Sequence, residues 1–149
     1  MHKDNCRCHG PELQDYGREP IIFNIDQATK NNRNFRTALW TGCHMQMTVM
    51  SIPVGCDFGL EFHENVDQFI RIEKGCAEVI MGNCQHTLDR GKCVDENYAI
   101  IVPAGTWHNI INVGNCPLKL YSIYSPPNHP FGTVHKTKAD AEHSDHYHA

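Results

Sequence analysis

Glu61-Phe62-His63 places two metal-ligating side chains two residues apart. On an extended strand that spacing sends both side chains off the same face, so a carboxylate and an imidazole can reach one ion together. Gln68 follows a short turn and stands in phase with Ile70 and Ile72, whereas Asp67 stands in phase with Phe69, Arg71 and Glu73. If the isoleucines face an interior, strand period prefers Gln68 as a third donor. Asp67 is the stronger donor by charge, and a bulge would reverse the choice. Farther along, Pro103-Ala-Gly105-Thr-Trp-His108 ends one apolar run, turns at Gly105 and opens another run with a second imidazole. Glu61, His63, Gln68 and His108 together suit one divalent ion, with Zn, Mn, Fe and Ni all compatible.

Such donors need a strand-built frame, and most of the chain reads as strand. Arg36–Trp40, Met45–Ile52, Gln68–Ile72, Ala77–Met81, Tyr98–Val102, Asn109–Val113 and Leu118–Tyr124 are short runs rich in β-branched and aromatic residues, punctuated by Gly, Pro, Asn or Asp. Ile21–Ile25 reads as a first strand, followed by a helical turn over Asp26–Lys30 with Asp26 as its cap. This many short strands predicts an all-β sandwich or barrel. Residues 1–20 are polar, with Gly10, Pro11, Gly17 and Pro20, and read as a loosely attached N-terminal arm. The barrel domain is expected over 21–135, and 136–149 forms a His-rich tail with a short helix at Lys136–Glu142.

The 149 residues suit one domain, and the formal charge of −4 supplies no basic field for nucleic acid. No run of 18 apolar residues occurs, and Met1–Cys6 lacks the apolar stretch of a signal peptide, so no membrane association and a cytoplasmic location are expected. Eight cysteines scattered through strands and turns read as reduced thiols. Cys6-Arg7-Cys8-His9, with His2, has spacing that could hold a soft metal but reads as terminal segment, and His143, His146 and His148 read as solvated tail.

The two metal-donor segments resemble the paired motifs of the cupin superfamily. Gly55, Glu61, His63, Gln68 and Gly75 fall at the places of the first motif, and Pro103, Gly105, His108 and Asn112 at those of the second. Glu61 stands where the first motif has a histidine, Gln68 where it has a glutamate, and Asn97 where the second motif opens with glycine. The wider text is similar to small cupins of a phosphomannose-isomerase-like group, through Arg36–Gly42, Asp67–Glu73, Tyr121–Pro127 and His129–His135. The resemblance implies a single-domain jelly-roll β-barrel around one metal, and phosphomannose isomerases likewise set glutamine beside histidine and glutamate.

The expected function is that of a metal-dependent enzyme of isomerase or lyase type on a small oxygenated, sugar-like molecule, with proton transfer by Glu61, Tyr98 or His129. His129 and His135 follow the last expected strand, in a Pro- and Gly-containing segment that reads either as a flap over the metal or as an arm on a neighbouring subunit. Two imidazoles and a carboxylate also match the donor set of Fe(II) dioxygenases, and a non-catalytic metal- or ligand-binding cupin, or one with no ion, completes the alternatives. Trp40, Gln46, Arg71, Tyr98, Trp107 and Tyr121 are pocket candidates, each combining bulk with a polar handle. Phe69–Ile72 and Ile100–Val102 are apolar on both faces, which predicts a homodimer covering the outer one.

Overall fold

The computed structural model describes residues 12–88 and 91–145. The Cys6–Cys8 cluster, His146 and His148 lie outside them. The first element is a helix, α1 (Ile25–Asn31), and the strand expected at Ile21–Ile25 is not formed. Asn24, not Asp26, is the cap: its side chain accepts a hydrogen bond from the Gln27 amide at 2.9 Å. Asn24 thus caps the first turn through its side chain alone, and this starts the helix ahead of Asp26.

The strands follow as β1 (Arg36–Thr41), β2 (Gln46–Ile52), β3 (Asp67–Lys74), β4 (Ala77–Gly82), β5 (Lys92–Val94), β6 (Ala99–Val102), β7 (Trp107–Asn112), β8 (Leu118–Ser125) and β9 (Val134–His135), with α2 (Lys138–Asp145) last. Seven match the expected runs to within two residues at each end. The short β5 and β9 carry too few residues to show a period. Two antiparallel sheets result, ordered β6-β3-β8-β2-β1-β9 and β5-β4-β7, which is the jelly-roll architecture.

Alternation decides what lies between the sheets. Ile70 and Ile72 of β3, Met50 and Ile52 of β2, Leu118 and Leu120 of β8 and Ile110 of β7 form the inner core. In phase with them on the same strands stand Gln68, Gln46, Tyr124 and His108, all at most 1% exposed. One end of the interior is therefore filled by aliphatic side chains, and the other by buried polar ones.

The outer face of the large sheet is covered in part by the chain itself. Ala28 of α1 packs with Leu39, Met47, Val49 and Tyr121, and Leu13, Phe23, Ile25, Phe69 and Ile123 lie against that cluster. Ile101 remains 63% exposed beside it. Residues 12–20 are not loose: Asp15 accepts from Thr41 Oγ1 at 2.6 Å and from the Gly132 amide at 2.9 Å, and the Tyr16 amide donates to the Leu39 carbonyl. Gly17 permits this attachment, since a Cβ there would meet the Thr41 carbonyl oxygen at 2.2 Å. No helix among the described residues is long and apolar enough to cross a membrane.

Candidate metal centre

Glu61 and His63 sit on an extended segment running antiparallel to β7, joined to it by bridges at Asp57–Ile111 and Glu61–His108. The Glu61 amide donates to the His108 carbonyl at 2.8 Å and the His108 amide to that of Glu61 at 3.0 Å, so the two residues are locked side by side. The Gly105 amide donates to the His63 carbonyl at 2.8 Å, fixing the turn before β7 against the same segment. Gly105 has φ 80°, a left-handed conformation that glycine adopts without strain.

As a result, one donor atom each from Glu61, His63 and His108 lies within 4.8 Å of the others. Glu61 Oε2 is 3.3 Å from His63 Nε2 and 3.6 Å from His108 Nε2. His108 Nδ1 lies 3.1 Å from the Thr106 carbonyl, which can only accept, so Nδ1 carries the proton and the Nε2 lone pair turns inward. Four buried atoms at this end have no hydrogen-bond partner: Glu61 Oε2, His63 Nε2, Gln68 Oε1 and His108 Nε2. Electron-rich atoms converging in a buried space repel one another unless a cation lies among them, and these are donors that borderline divalent metals accept. The residues present fit a metal ion.

Burial pushes the Glu61 carboxyl up, but when no ion lies among the donors the His108 and His63 rings, each carrying a proton toward it, and then the Arg36 charge outweigh that and hold it well below the usual carboxylate range. Arg36 itself is 3% exposed, with Nη2 3.7 Å from Glu61 Oε1 and Nη1 3.1 Å from His135 Nδ1. Gln68 is buried and donates through Nε2 to Ser122 Oγ at 3.2 Å, leaving Oε1 free. Asp67 is exposed, and its Oδ1 accepts from the Ala104 amide at 2.8 Å. Strand phase thus places Gln68 inside and Asp67 outside.

A cleft of about 620 Å³ opens over the donors, bounded by Leu60, Phe62 and His63 on one side and by His129, Thr133 and His135 on the other. The His129 loop is pinned by Gln46. Gln46 Oε1 accepts from the Asn128 and His129 amides at 3.1 and 2.9 Å, and its Nε2 donates to the His129 carbonyl at 2.8 Å. Tyr124, fully buried, stands edge-on to His63 at 6.2 Å and to His129 at 5.3 Å between ring centroids. Burial, then the nearby Arg36 charge, lowers His129 to about 3, so its ring is neutral near pH 7.

Tyr98 does not reach this site. It precedes β6, where Ala99 pairs with Arg71 while Val102 pairs with Gln68, so it stands at the far end of β3 and β6 and is 44% exposed. Among the other pocket candidates, Tyr121 packs outward against Phe69, Trp40 donates to the Glu19 carbonyl, and Arg71 pairs with Glu73 and Asn97. Trp107, out of phase with the buried His108, packs against Phe62, with centroids 4.8 Å apart, and does not line the cleft. Glu73, whose phase with Arg71 points to solvent or another subunit, is buried within the chain itself. Period reports only which face a residue takes, not what covers that face. Arg36 and Tyr124 also belong to the site; their sequence signals are a charge inside an apolar strand and the phase that Tyr124 shares with Leu118, Leu120 and Ser122.

Two facing antiparallel sheets with metal donors gathered at one end define a metal-binding type of jelly roll, and the chain belongs to the cupin family, matching its Cupin domain over residues 48–124. It is 63% identical over 129 residues to YrkC of Bacillus subtilis (strain 168), covering 87% of this chain and 69% of that one. It is 41% identical over 117 residues to L612 of Acanthamoeba polyphaga mimivirus, covering 76% of this chain and 69% of that one. The crystal structure of BH2720 from Bacillus halodurans superposes with a TM-score of 0.87 at 56% identity, covering 88% of this chain and 99% of the other.

Proposed function

We propose that this cupin is a metal-dependent enzyme of isomerase or lyase type acting on a small oxygenated, sugar-like molecule, with Glu61, His63, Gln68 and His108 holding one divalent ion. The observation that carries the reading is the four buried, partnerless donor atoms beneath a cleft of about 620 Å³. A Zn, Mn, Fe or Ni ion held there supplies Lewis-acid polarisation of a substrate oxygen. His129 lines the same cleft, and its neutral ring is placed to accept a hydrogen bond from a substrate hydroxyl and so orient it over the ion. Arg36 holds Glu61 ionised from behind.

Metal analysis of protein purified without chelator tests the first half of this reading, and incubation with small sugars and keto acids followed by NMR tests the second. One ion per chain is expected, absent from the His63→Ala/His108→Ala variant, with turnover that requires the ion and falls in His129→Ala. Stoichiometric metal in the double variant would refute the ligand set. A second reading rests on the composition of the Glu61–His63–His108 cluster, which matches the two-histidine, one-carboxylate donor set of Fe(II) oxygenases. Substrate-dependent oxygen uptake by Fe(II)-loaded protein would favour it over isomerase or lyase chemistry.

A further inference from the structure

We propose that the chain carries a second binding site, away from the metal centre, for a small organic anion with an apolar body, held by Arg33, Lys119 and Lys136. The site is a cavity of about 470 Å³ where β2 ends and β8 begins. The metal-side polar residues Gln46 and Tyr124 pair at the other end of those same two strands, whereas Ser51 and Lys119 pair at this end.

The charge in this cavity is one-sided. Arg33, Lys119, Lys136 and Lys138 line it, and no carboxylate does. Lys138 is paired with Asp57, leaving three cations with no acidic partner among the described residues. Lys119 is half-buried, and among the described residues its ammonium donates to the Asn32 carbonyl alone. Burial first, and then the Arg33 and Lys74 charges, pull that ammonium below the ordinary lysine range. A cation withdrawn from water beside like charges raises the energy of the fold unless a negative group settles against it. The chain as a whole is acidic, at −4, so this concentration of positive charge is local.

The remaining walls select the rest of the ligand. Phe35, Pro53 and Pro117 give the cavity apolar sides, with the hydroxyls of Ser51 and Thr137 beside them. A volume of this size with apolar walls and a few convergent polar groups suits a small organic molecule, whose ring or short chain would lie on the walls while its carboxylate or phosphate meets the cations.

Isothermal titration of the full chain with benzoate, phenyl phosphate, benzyl alcohol and inorganic phosphate at fixed ionic strength tests this. At least one aromatic anion is expected to bind one per chain, and comparing the two separates carboxylate from phosphoryl recognition. Benzyl alcohol and inorganic phosphate should each bind about tenfold more weakly than that anion. An Arg33→Ala/Lys136→Ala variant, altered at two exposed positions, should keep its circular dichroism and lose at least about tenfold in anion affinity. The His63→Ala/His108→Ala variant should bind the anion as the parent does. The proposal is overturned if the alcohol or inorganic phosphate binds as well as the aromatic anions, if no probe gives saturable heat at millimolar concentration, or if the Arg33/Lys136 variant binds unchanged. Loss of binding in the His63/His108 variant would assign the anion to the metal centre and overturn it equally.

Discussion

Arg36 of β1 reaches across the barrel to Glu61, with Nη2 3.7 Å from Oε1, while Oε2 of the same carboxylate turns toward His63 and His108. The two oxygens are thereby divided between a fixed cation and the metal-donor cluster. Replacing Arg36 with Met leaves the Glu61 charge without its buried counter-charge. A loss of about 3 kcal/mol in stability is expected for the metal-free protein, read from urea unfolding. A variant as stable as the parent would show that the contact contributes nothing.

Gln68 and Asp67 are neighbours with opposite placements, so substituting each separates the two possible donors. Gln68→Glu adds a carboxylate beside the cluster and should tighten divalent-metal binding about tenfold by calorimetry. Asp67→Asn, changed on the exposed side where Oδ1 caps the Ala104 amide, should leave metal affinity unaltered. The reverse pattern would make Asp67 the donor.

Gln46 of β2 holds both the Asn128 and His129 amides through one side-chain oxygen. Gln46→Met should free them, costing about 2 kcal/mol and accelerating hydrogen exchange at those two amides relative to the amides of β8. Unchanged protection at Asn128 and His129 would mean the loop is held by other contacts.

His129 makes stability depend on pH in a defined window. Its folded value of about 3 lies below the ordinary 6.5, so between those values the unfolded chain binds more protons than the native one. Stability should therefore fall as pH drops from 6.5 toward 3, and this contribution should be flat above 6.5. In His129→Gln, chelated to remove metal, denaturation midpoints should fall less steeply over that range than in the chelated parent. Parallel slopes would contradict the buried, neutral state of the ring.

Much of the frame and half of the site logic lay in local pattern. Alternation of apolar residues located seven strands, and the two-residue spacing of Glu61 and His63, with the phase of Gln68 against Ile70 and Ile72, assigned those donors to one interior. That information is local because a strand's side-chain period is set by its own backbone. The helical turn expected over Asp26–Lys30 is α1, but the apolar Ile21–Ile25 forms no strand, and the Asn24 cap with the sheet beneath it draws Ile25 into the helix. The meeting of Glu61 with His108, the backing of both by Arg36, the pinning of His129 by Gln46 and the removal of Tyr98 to the far end were decided by tertiary structure alone. Each depends on which strands neighbour one another and in what register, and register between distant segments is set by the packing of the whole core, which no single segment encodes.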